Sequence, residues 1–240
     1  MQPTTYILLY VAAFIPAIFY MLYIIAFDSK KPEPPLALIV AAVVGLAVAL
    51  GITHFDLLPP IADAQGRVVP ILWERIAAGS LSLAVPAELT KWVALLVFLA
   101  LNKYYDEYID GIVYAVCLAM GFAGVWSVWF VTEVFDVLTI GLWETCLFII
   151  FVVIPIHLAS SSMMGYFLAL ARTRHKFRNY LCSLLLPIII DGILCSMVLM
   201  IGSHWEYYFV AGFLFSLLSM IFYKQAYRLL EMDGVRVNSK

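Results

Sequence analysis

Seven stretches of this chain are apolar over about the length that a helix needs to cross a bilayer, and little chain is left between them. They are Tyr6–Phe27, Leu36–Ile52, Ala78–Leu101, Ile109–Val131, a run within Leu142–Ala171, Leu181–Ile201 and Tyr207–Tyr227. No water-soluble core of 240 residues hides that much apolar surface. Hydrophobic residues make up 65% and charged residues 12%, against roughly 45–50% and 25% in soluble domains. The expectation is an all-α integral membrane protein of about seven transmembrane helices, forming a single polytopic domain over residues 1–240 with a short polar tail at 228–240. The run within Leu142–Ala171 is too long for one upright helix, so tilt, an interfacial lead-in or a bend at Pro155 is expected there. The long connection Thr53–Ile76 carries Trp73 and is expected to hold a short interfacial helix.

Charge sets the orientation. With seven spans, one side of the membrane receives Lys30, Lys31, Lys103, Arg172, Arg174, Lys176, Arg178, Lys224, Arg228, Arg236 and Lys240. The other receives only Arg67 and Arg75. The positive-inside rule makes the first side cytoplasmic, with the N-terminus outside and the C-terminus in the cytoplasm. Met1–Thr5 has no positive charge, so the first run reads as a span rather than a cleaved signal. A net charge of −2 argues against a nucleic-acid partner. Cys117, Cys146, Cys182 and Cys195 all lie in apolar runs without a CxxC spacing, so neither a disulfide frame nor a zinc cluster is expected.

Against this background a few polar side chains are out of place. Ionisable groups in membrane spans are costly and mark functional sites by default. The third span enters from outside and carries Glu88 and Lys91 on one helical face. The fifth carries His157 near its middle, with Ser161 and Gly165 on the same face, and the sixth carries Asp191 with Cys195. Direction and order place Glu88, His157 and Asp191 at a similar depth, in the outer to middle part of the bilayer. In the fourth span Gly111, Ala115, Ala119 and Ala123 form a small-residue stripe that admits a close neighbour. Each feature also has a plainer reading. Pro86-Ala87-Glu88 resembles a helix start, which would leave Glu88 interfacial. Lys91 can serve only to neutralise Glu88, His157 can be a packing histidine, and Asp191-Gly192 can mark a locally opened helix.

The segments AELTK at Ala87–Lys91, DGIVYAVCLAMGFA at Asp110–Ala123 and IPIHLASSSMMGY at Ile154–Tyr166 resemble the PrsW family of intramembrane proteases. That family belongs with the CAAX-processing and bacteriocin-processing membrane proteases. Its pattern is a Glu-Glu-x-x-Lys/Arg helix, a D-G-x-x-Y-G run leading into G-F-A-x-x-E-N, a helix with a mid-membrane histidine, and a helix with a second histidine. The resemblance covers roughly Val85–Cys195. It implies that paired acids activate water for peptide hydrolysis within the bilayer, assisted by the histidines. Here Glu88, Lys91 and His157 fit, while Ala87 stands for the first Glu, Trp126-Ser127 for Glu-Asn, and Asp191 at or near the second His.

Three functions are expected as alternatives. The first is hydrolysis of a membrane-anchored protein by a reshaped site in which Glu88 or Asp191 is the base and His157 and Lys91 stabilise charge. The second is a catalytically inactive scaffold or substrate-binding relative, which Ala87 and Trp126 favour. The third is a proton or solute pathway, which lacks the inverted halves expected of a transporter. No cofactor is expected. One histidine and two carboxylates can bind a divalent ion, yet no helix carries an HExxH pair.

Overall fold

The computed structural model of the chain describes residues 3–27, 32–54, 78–133, 141–174 and 177–201, with single positions between 210 and 228. Among the described residues the structure is helical, without strands. The helices are α1 (Pro3–Phe27), α2 (Pro35–His54), α3 (Val85–Leu101), α4 (Tyr108–Glu133), α5 (Leu142–Phe148), α6 (Ile154–Arg174) and α7 (Phe177–Ile201). A π-helical turn, Ala78–Ala84, leads into α3, and a second, Ile149–Val153, joins α5 to α6. Among the described residues six helical stretches are long and apolar enough to cross a membrane, the last of them at Phe177–Ser196. The expected seventh span, the link with Trp73 and the cations Arg67 and Arg75 fall largely or wholly outside the described residues.

Helix α4 is the centre of the bundle. Every residue from Ile109 to Val128 is buried, so α4 has no lipid-facing side there. Helices α1, α2 and α6 pack around it and α3 touches it, while α7 packs on α6, α3 and the first π-helical turn. Small residues make this possible. A Cβ at Gly111 would lie 2.7 Å from the Gly165 carbonyl oxygen of α6, and one at Gly165 would lie 2.8 Å from the Ala115 Cβ. The first two residues of the expected stripe, Gly111 and Ala115, are therefore where α4 meets α6. A second close approach, Gly45 of α2 against Leu118 of α4 and Gly121 against Ala42, holds α2 on another face.

The start of α4 is fixed by its own sequence. Asp110, in the first turn and fully buried, accepts the backbone N–H groups of Asp106 at 2.9 Å and Glu107 at 2.6 Å. These are among the donors that a helix start leaves unpaired. One turn on, the Tyr114 hydroxyl donates to Glu33, which precedes α2. The Asp-Gly pair of the motif is thus architectural: the acid caps α4, and the glycine admits α6. Asp110→Ala is expected to lower stability by about 1–2 kcal/mol, the cost of losing a helix cap. A thermal melt in detergent checks this.

The run Leu142–Arg172 resolves the expected irregularity at Pro155 as a π-helical turn. Proline has no N–H to give the carbonyl of Phe151, and the ladder widens just ahead of it. The same pattern precedes α3, where Pro86 comes just after the turn Ala78–Ala84. The basic stretch Arg172–Asn179, between the fifth and sixth apolar runs, is mostly helical: α6 runs to Arg174 and α7 starts at Phe177. Arg and Lys are good helix formers, so the helices extend beyond the apolar runs. Where it is described, the final stretch packs on α6 through Phe222, whose ring meets those of Tyr166 and Phe167.

Candidate functional site

Each π-helical turn stands directly ahead of an ionisable residue. Glu88 lies two residues after Pro86 and His157 two residues after Pro155. Such turns change the helical phase and recur at functional sites. Asp191 reaches the same place from α7, where Gly192 lets that helix approach the first turn. A Cβ at Gly192 would meet the Ser80 Oγ at 3.0 Å, and Ser80 and Ser196 share a hydrogen bond of 3.4 Å. Gly192 is therefore a packing residue of a continuous helix rather than a break. Lower down, the Trp92 indole donates to Ser183 at 2.8 Å and ties α3 to α7.

All four ionisable residues singled out from the sequence meet in one buried cluster. Glu88 and Lys91 are fully buried, His157 is 1% exposed and Asp191 2%. The Lys91 Nζ lies 2.7 Å from Glu88 Oε1 and 3.1 Å from His157 Nδ1. One ligand atom from each of Glu88, His157 and Asp191 lies within 4.8 Å of the others. The interfacial reading of Glu88 thus gives way, because the π-helical turn carries the helix on beyond Pro86 and places the acid inside the bundle.

Charge and hydrogen bonding both leave this cluster incomplete. Two carboxylates and one ammonium leave one negative charge over, and an unbalanced charge is costly in a dry interior. Either a proton held between Glu88 and Asp191 or a cation balances it. Glu88 Oε2 and Asp191 Oδ2 are buried and no donor group of another residue reaches them, the two carboxyls lying close enough to share a proton, whereas Asp191 Oδ1 accepts the Cys195 thiol at 3.8 Å. Carboxylate oxygens and an imidazole nitrogen converging in this way fit a divalent ion such as zinc. The Lys91–His157 contact takes one of two forms. An ammonium donating to a bare Nδ1 leaves Nε2–H as a donor. An Nδ1–H donating to a neutral amine leaves Nε2 free to coordinate.

Phe122 of α4 meets the site directly, a residue to which the sequence reading gave no role. Its ring packs edge-on to His157 at 5.7 Å between centroids, and the Lys91 Nζ lies 5.2 Å from its centre. Its place in the G-F-A segment was the signal available. Trp126 is 2% exposed, stacks on Phe122 at 5.4 Å and meets the Trp129 ring at a tilt at 4.9 Å. Ser127 donates to the Ala123 carbonyl within its own helix at 2.5 Å. Ala87 is fully buried. Of the fifth-span serines, Ser161 stands one turn from His157, with its hydroxyl buried and unpartnered.

Comparison with known proteins agrees with the resemblance read from the motifs. A family model described as PrsW family intramembrane metalloprotease matches residues 33–223. Protease PrsW of Clostridioides difficile (strain 630) is 28% identical over 204 residues, covering 82% of this chain and 81% of the relative. Protease PrsW of Oceanobacillus iheyensis is 30% identical over 113 residues, covering 46% and 49%. Protease PrsW of Geobacillus kaustophilus is 29% identical over 134 residues, covering 55% and 56%. No solved structure matches.

Proposed function

The chain belongs to the PrsW family of intramembrane proteases, a multi-pass membrane protein, and from that premise we propose that it hydrolyses a peptide bond of a membrane-anchored protein at the cluster of Glu88, Lys91, His157 and Asp191. The observation that carries this reading is the convergence of four costly side chains from three helices, with two carboxylate oxygens that no donor group of another residue reaches. A purely structural ion pair would be satisfied within itself. In this reading the bundle has seven spans, with its N-terminus outside and its C-terminus in the cytoplasm, so the site lies in the outer to middle part of the membrane.

The chain's own groups divide the work. Lys91 holds Glu88 Oε1 and so leaves Oε2 as the oxygen that accepts a proton from the attacking water. Asp191, facing Glu88 across the cluster, is the second acid and carries the proton that moves to the leaving amine. Lys91 and an N–H of His157 face the charge that develops on the carbonyl oxygen. Phe122 and the surrounding apolar side chains exclude bulk water, which strengthens each of these interactions.

The family description names a metalloprotease, and in a metal-bound form of this reading Glu88, His157 and Asp191 would be the ligands instead of taking the base, acid and N–H roles above, with Lys91 the remaining donor toward the carbonyl oxygen. Bound there, a divalent ion would supply Lewis-acid polarisation of the carbonyl and a more acidic water. Treating the purified protein with a strong chelator is expected to reduce hydrolysis to background, and adding back zinc or another divalent ion to restore it. Full activity after metal removal, with metal content measured by mass spectrometry, would assign the chemistry to the side chains alone.

A second reading has specific support. Ala87 replaces an acid of the family pattern, and Trp126, where the pattern has another, stacks on the ring that lines the site. An inactive relative would keep the cluster as a scaffold for binding membrane proteins. A stably co-purifying membrane partner, with no turnover in either metal condition, would select this reading over the first.

A further inference from the structure

Away from the site, the cation-rich end of the bundle forms a part-open cavity of about 360 Å³ between α3, α6, α7 and the link before α4. Its lining is graded along the helices. Leu96, Leu99 and Leu168 line its inner part, whereas Asn102, Tyr105 and Arg172 lie at the helix ends. None of the lining residues is acidic. The Tyr105 hydroxyl and the Asn102 amide nitrogen are buried without a hydrogen bond of good geometry, Arg172 standing beside the first and Tyr114 beside the second, and Tyr105 is only 7% exposed. Unsatisfied buried donors of this kind call for a ligand or water. Arg172 stacks over the Tyr105 ring at 4.4 Å and donates to the Tyr105 carbonyl, which uses only part of its donor fork. Burial pushes the Tyr105 phenol up to about 12, against the opposing pull of Arg172, so the hydroxyl keeps its proton and can donate.

We propose that this cavity binds an anionic phospholipid, its phosphate held by Arg172, Tyr105 and Asn102 and the start of an acyl chain lying against Leu96, Leu99 and Leu168. The chemistry is that of any phosphate monoanion or diester: a guanidinium and neutral donors around a compact oxyanion. The gradient from donors to leucines selects a lipid over free phosphate, because only a lipid fills both ends. The carboxylates of Asp106, Glu107 and Asp110 do not line the cavity; Asp110 Oδ2 is engaged by two backbone N–H groups, while its Oδ1 is unpartnered and its charge reaches the Tyr105 hydroxyl.

The test uses the full chain in an uncharged detergent. Phosphatidylglycerol, phosphatidylcholine of the same chain length and inorganic phosphate are each titrated in, with bound lipid counted by native mass spectrometry and stability followed by thermal melts. Phosphatidylglycerol is expected to bind at least about tenfold more tightly than phosphatidylcholine, the size of one charge-assisted hydrogen bond, and inorganic phosphate is expected to stabilise little. Tyr105→Phe deletes an unsatisfied hydroxyl, so its melting point without lipid should stay level or rise, while its preference for phosphatidylglycerol falls. Arg172→Gln should abolish the preference. Equal binding of the two lipids by the unaltered protein, an undiminished preference in Tyr105→Phe, or full stabilisation by inorganic phosphate would each overturn the proposal.

Discussion

Replacing Glu88 by glutamine is expected to lower hydrolysis of a membrane-tethered peptide by at least about a hundredfold, the usual contribution of a positioned acid–base group. The amide keeps the size of the carboxylate but cannot take a proton from water. It also removes the partner that Lys91 holds at 2.7 Å. A buried ammonium without that partner is destabilising, commonly by about 3–5 kcal/mol. Asp191 remains within reach and limits this cost, so the variant is expected to fold with a lowered melting point. The double variant Glu88→Gln/Lys91→Met separates the two effects, because it should regain stability and remain inactive. Purified variants reconstituted in liposomes, assayed for cleavage and melted in parallel, provide both readings. Unchanged cleavage by Glu88→Gln would remove the acid from the mechanism.

The largest effect on folding is expected from Gly165→Ala. The added methyl would press on the Gly111 carbonyl and lie 2.8 Å from the Ala115 Cβ, inside any ordinary contact. Both obstacles belong to the buried helix α4, and neither is the end of a flexible side chain. Relief requires α6 to move away from α4, which also draws His157 from Lys91. Overpacking of this kind costs about 1–3 kcal/mol or more. Gly51→Ala is the control. A Cβ there meets nothing within 4 Å, so the better helix former should leave stability level or raise it by up to about 1 kcal/mol. Melting of the two variants in one detergent checks the contrast. Equal behaviour would mean that α4 and α6 do not approach as closely as described.

The site was easier to read in the sequence than its supports. Glu88, Lys91, His157 and Asp191 stood out because lipid makes each of them costly, and counting the spans placed three of them at one depth. The stripe Gly111–Ala115–Ala119–Ala123 was legible in its first half: Gly111 and Ala115 meet α6, while a spacing of four drifts off one helical face over longer stretches. The widened turns before Pro86 and Pro155 were not legible as such, since a proline signals only that the ladder must change, not how. The roles of Asp110 and Tyr114 were hidden as well. Capping depends on two backbone N–H groups of the preceding link, and the Tyr114 hydroxyl finds Glu33 on a distant part of the chain. Pairings at that separation arise from the packed bundle and leave no local pattern.

The similarity in depth of three helices' polar groups is also what gives the proposed chemistry its location. The most direct measurement is therefore cleavage of a tethered single-span substrate by the reconstituted chain in H₂¹⁸O, with the products sequenced by mass spectrometry. The account predicts one ¹⁸O atom in a new carboxyl group that maps to the outer half of the substrate's apolar span. Cleavage confined to the water-exposed tail, or intact substrate under every metal condition, would contradict it.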